Sequence, residues 1–163
     1  MQGHGPAALA ALVFVIAACN PFAQKRAVEI SSGEGEVAYS SRWNATLATP
    51  SGLAGALQVK GSAWMAPSPD GNGTRVHVSI SNATPGGVHP WMVHRGRCGD
   101  DKGVVGQASD YQPLRVSTDG TASQESILSV PEPKSGDYFV NVHASASNMQ
   151  TSVACGNLAP PSR

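Results

Sequence analysis

Pro67-Ser68-Pro69-Asp70-Gly71-Asn72-Gly73, followed after one threonine by Arg75-Val76-His77-Val78-Ser79-Ile80-Ser81, decides the class of this chain. The first half concentrates the residues that set turn dihedrals or bond their own backbone. The second half alternates strictly, which puts Val76, Val78 and Ile80 on one face of an extended strand and Arg75, His77 and Ser79 on the solvent face. A turn feeding a period-two segment reads as a hairpin. Working outward, turn signals recur at short intervals and predict strands near 42–48, 56–65, 74–81, 88–94, 121–129, 137–143 and 151–156. Asp119-Gly120 reads as a second tight turn and Pro131 to Gly136 as a loop. Gly99 to Gln112 shows no strand pattern and reads as a long loop, the kind of segment in which chemistry gathers. An all-β sandwich or barrel is the expected class.

Composition agrees. The 163 residues suffice for one domain with a core. Only 13% are charged, whereas glycine and proline number 18 and 12, which suits short strands joined by turns better than amphipathic helices. Lys+Arg and Asp+Glu are 11 each, so nothing draws the chain to nucleic acid or to an anionic membrane surface.

Ala7 to Ala18 is continuously apolar but far short of the about 20 residues that span a bilayer, and reads as the core of a signal peptide. It ends in Ile16-Ala17-Ala18-Cys19, which resembles a bacterial lipoprotein cleavage box. The expectation is a signal peptide over 1–19 with Cys19 lipidated, a flexible tether over 20–41, and a folded domain over 42–160. Met1 to Pro6 lacks the Lys or Arg with which such signals normally begin. The expected location is the cell envelope, with the membrane reached through lipid alone. Asn20, where Asp would mark inner-membrane retention, points to the outer membrane if the cell is Gram-negative.

Metal-capable side chains crowd into Gly87-Val88-His89-Pro90-Trp91-Met92-Val93-His94-Arg95-Gly96-Arg97-Cys98-Gly99. In an extended strand Met92 and His94 share a face while Val93 points the other way. Alternation in Tyr138-Phe139-Val140-Asn141-Val142-His143 sets Phe139, Asn141 and His143 on one face. If the two strands are neighbours, His143 joins Met92 and His94 in a three-ligand site on the outer wall of a β structure. With Cys19 assigned to lipid, Cys98 and Cys155 remain, and an exported protein meets oxidising conditions, so a disulfide is expected between them.

The ordered set Gly87-Val88-His89-Pro90-Trp91-Met92-Val93-His94, Cys98, Leu114 to Ala122 with Thr118-Asp119-Gly120, Val142-His143 and Val153-Ala154-Cys155-Gly156-Asn157-Leu158 resembles the Cu/Zn superoxide dismutase family over about residues 42–160. The resemblance implies a Greek-key β barrel with copper on its outer face. It places His94 and His143 on copper ligands, Met92 on a third that is His in the active enzymes, and His89 on a histidine that supports the site by hydrogen bonding. The family's bridging imidazole has no counterpart, since no His lies between His94 and His143. Pro113 stands in the place of a zinc carboxylate, and Ser152 in that of the Arg that guides superoxide, so no zinc is expected.

A thioether in place of imidazole favours the softer Cu(I). The expected function is copper binding without efficient dismutation. Two alternatives stay open: an active copper-only dismutase, for which Arg95 or Arg97 would have to replace the guiding Arg, and a metal-free structural or interaction module. Val93-His94-Arg95-Gly96 with Gly103-Val104-Val105 is also similar to the chordin-type repeat, which favours the latter.

Overall fold

The computed structural model describes residues 42–56 and 58–161; the expected signal peptide, Cys19 and the tether lie outside the described residues. Ten strands follow in order: β1 (Trp43–Ala48), β2 (Lys60–Pro67), β3 (Thr74–Ser81), β4 (Val88–His89), β5 (Trp91–Arg97), β6 (Asp100–Val104), β7 (Leu114–Arg115), β8 (Ala122–Leu128), β9 (Tyr138–Ser145) and β10 (Asn148–Leu158). Two single-turn 3-10 helices, Ser51–Leu53 and Ala108–Asp110, punctuate the loops.

Eight strands form one antiparallel sheet in the order β6-β5-β9-β10-β1-β2-β3-β8, and β4 pairs with β7 apart from it. The sheet curls into a half-barrel, with β10 joining its two wings through β9 on one side and β1 on the other. The β2–β3 hairpin closes as its residues dictate: the Gly73 N–H donates to the Ser68 hydroxyl at 2.8 Å, and Gly71 takes φ +74. Its register sets Val76 against Met65 and Val78 against Ala63, so the alternating apolar residues of successive strands meet on one face. That face, with Trp43, Leu47, Val93 and Val140, is the core. Each fully buried valine or leucine there contributes about 1.5–3 kcal/mol before chain entropy is counted.

The strand expected over 88–94 divides at Pro90. Val88–His89 pairs with β7, and a new strand begins at Trp91 that pairs with β9 and β6. Proline has no N–H for a ladder, which makes it a natural break. The long loop expected from Gly99 to Gln112 is corrected at its start, where Asp100–Val104 returns along β5 as an edge strand. Its Asp100, Asp101 and Lys102 are the charges that exposed edges carry, and they hide the alternation on which a strand reading rests. Lys60 begins the second strand four residues later than expected, and β10 runs longer than the expected 151–156.

Candidate metal centre

The β5–β9 register pairs Met92 with Asn141, Val93 with Val140 and His94 with Phe139. Paired residues of neighbouring strands share a face, so Met92, His94, Phe139, Asn141 and His143 all project from the same side, opposite Val93, Val140 and Val142 in the core. The ladder continues as the His143 N–H donates to the Pro90 carbonyl at 2.8 Å. Met92 therefore stands midway in register between His143 and His94. The irregularity in the β5–β6 pairing falls between His94 and Gly96, beyond the residues whose parity matters.

The two imidazoles are drawn together, and all three side chains are shielded. Met92, His94 and His143 are 7%, 3% and 5% exposed. His94 and His143 have ring centres 5.9 Å apart with planes tilted by 58°. His94 also stacks on Phe139 at 5.1 Å, which fixes its ring plane. Each imidazole is held through Nδ1. His143 Nδ1–H donates to the Met149 carbonyl at 2.7 Å, and His94 Nδ1–H donates to the Asp101 carboxylate at 3.0 Å. His89 lies behind them, its Nδ1 3.0 Å from the His143 carbonyl. With acceptors on Nδ1, the Nε2 atoms of His94 and His143 carry lone pairs. Both, like Nε2 of His89, are buried with no hydrogen-bond partner.

A cleft of about 720 Å³ opens over His143, between the Cys98–Cys155 disulfide and the 149–152 segment of β10. Among the described residues that line it, Asp101 carries the one formal charge. Burial, the largest influence on His143, pushes its pKa down and His94 adds to that, against the Met149 carbonyl and Asp101. The neutral, ligating form is thus the one the fold prefers. Arg95 donates to the Val104 carbonyl and Arg97 pairs with Asp137 at 2.8 Å, and neither residue lines the cleft. Ser152 does reach the cleft, where its hydroxyl donates to Asn141. His77 is outside this site and only half-buried, stacked at 5.5 Å on Trp64, which Arg42 and Arg75 flank.

The donor set suits a soft or borderline ion. Two imidazoles sharing one ion, each nitrogen about 2.0–2.1 Å from it, have ring centres at most about 6.3 Å apart. The 5.9 Å separation here falls inside that limit. Among the described residues, no cluster of three or more His, Cys, Asp or Glu side chains is placed to hold a metal. Met92, which shares the face of His94 and His143 in register, is the thioether that could complete such a set, and a thioether favours soft ions over hard ones.

The sequence reading missed two groups, Asp101 and the Met149 carbonyl. Gly99, at φ +90 in the two-residue link Cys98-Gly99, is the signal that could have revealed the β5–β6 hairpin and with it Asp101. A backbone carbonyl leaves no such signal. No protein-family model matches the chain, and no curated protein matches it significantly.

Proposed function

We propose that this chain is an exported, lipid-anchored protein with a degenerate Cu/Zn superoxide dismutase-like Greek-key barrel that binds one copper ion, preferentially Cu(I), through Met92, His94 and His143. The strand order supports the barrel reading, because β5 and β9 are neighbours although three strands separate them in sequence. One observation carries the copper reading: two buried Nε2 atoms without partners, on rings 5.9 Å apart, with a thioether between them in register. Burying such nitrogens unsatisfied costs about 1–3 kcal/mol each, a cost that a metal ion removes.

Binding is favoured over dismutation by charge. Superoxide is an anion, and rapid capture needs a positive approach. The cleft offers Ser152 and the Asp101 carboxylate instead, which attracts cations.

The test is Cu(I) titration of the whole chain against a chromophoric Cu(I) chelator under reducing conditions, with Met92→Ala and His143→Ala alongside. One equivalent held by the parent, and weakened at least tenfold in both variants, is the expected result. A parent that surrenders all its copper to a weak chelator would leave an inherited scaffold with another task.

A further inference from the structure

The carboxylate beside His94 belongs to no residue expected to act at this site, and its position is built rather than incidental. Asp101 lies on the edge strand β6, and its Oδ1 accepts from both His94 Nδ1–H at 3.0 Å and the Gly103 N–H at 2.7 Å. Gly103 itself takes φ +105, a backbone conformation that favours glycine. The Asp101 side chain is 52% exposed toward the cleft, while that of His94 is 4% exposed. A half-solvated carboxylate thus touches the far side of a buried imidazole whose near side, Nε2, has no partner.

We infer that Asp101 is the positioning residue of the copper site: it fixes His94 as the Nδ1–H tautomer, aims the Nε2 lone pair at the ion, and supplies the negative charge that balances a monovalent metal. The inference rests on the copper reading above. A carboxylate accepts hydrogen bonds and cannot donate, so it admits only the tautomer with the proton on Nδ1. It also raises the basicity of the opposite nitrogen, as carboxylate–histidine–metal arrangements do. Two neutral imidazoles, a neutral thioether and Cu(I) carry one net positive charge in a buried setting. A single carboxylate one ring's width away cancels it, and His143, held by the uncharged Met149 carbonyl, brings no charge of its own.

The test uses the full chain with Asp101→Ala and Asp101→Asn. Imidazole ¹⁵N chemical shifts of the metal-free protein report each tautomer, and competition with a chromophoric chelator reports Cu(I) affinity. In Asp101→Ala, His94 is expected to lose the pure Nδ1–H signature while His143 keeps its own, which shows that the fold persists. Cu(I) affinity should fall about 10–100-fold, the usual cost of removing such a partner. Asp101→Asn retains an acceptor oxygen, so it should preserve the tautomer and lose part of the affinity, separating orientation from charge. An unchanged His94 tautomer in Asp101→Ala, or unchanged affinity in a parent that binds, would overturn the inference. If the parent binds no copper the proposed function fails, and the tautomer still decides whether Asp101 orients His94.

Discussion

Burial drives the His143 pKa below its ordinary 6.5, with His94 pushing the same way. The folded state therefore prefers neutral imidazole, and the sign follows: stability from this residue is complete above about pH 6.5 and is lost as pH falls through the depressed folded value. Denaturant midpoints of the metal-free chain should decline below pH 6.5, and His143→Gln should flatten that decline; the same slope in parent and variant would assign it elsewhere. Trp91 tests the apolar side of the neighbouring strand β5. It is 1% exposed, donates to the Gln112 carbonyl at 2.8 Å and meets Tyr111 edge-on at 5.2 Å. Trp91→Ala should cost about 3–5 kcal/mol of unfolding free energy, read from urea melts.

At the scale of elements, the β5–β6 hairpin is what brings Asp101 to His94. Gly96, at φ +100, sits where an added methyl would overlap the Asp100 carbonyl. Gly96→Ala should push β6 away and carry Asp101 from His94, so Cu(I) binding weakens as in Asp101→Ala. Native copper affinity in Gly96→Ala would show that the hairpin is not needed. The same element marks how far the sequence could be read. The alternation of Val76, Val78 and Ile80 and that of Phe139, Asn141 and His143 survive in the structure because each strand has one face in the core. Strand β6 has no such face, its residues running exposed from Asp100 to Gly103, so hydrophobic periodicity carried no trace of it. The faces that carry Met92, His94 and His143 were legible, and the carboxylate that bonds His94 was not.

Over the whole molecule, the disulfide ties the tip of that hairpin to the strand joining the two wings. Cys98 and Cys155 are bonded across 57 residues with Cα atoms 6.0 Å apart, and the Cys98 N–H also donates to the Asn157 side chain at 2.9 Å. Closing a loop of that length restricts the unfolded chain by about 4 kcal/mol in the entropy model. Cys98→Ser should lower the unfolding free energy by an amount of that order, measured by denaturant titration with and without reductant; an effect below about 1 kcal/mol would mean that the bridge adds little to this fold. The half-barrel then serves as a rigid frame, its inner face spent on packing and its outer face free to hold donors at fixed separation.

X-ray absorption spectroscopy of the whole chain loaded with one equivalent of Cu(I) reads the atoms bound to the ion. The expected ligand set is two imidazole nitrogens and one thioether sulfur, with the sulfur lost in Met92→Ala and one nitrogen lost in His143→Ala. A shell without sulfur in the parent, or one left unchanged by both substitutions, would contradict it.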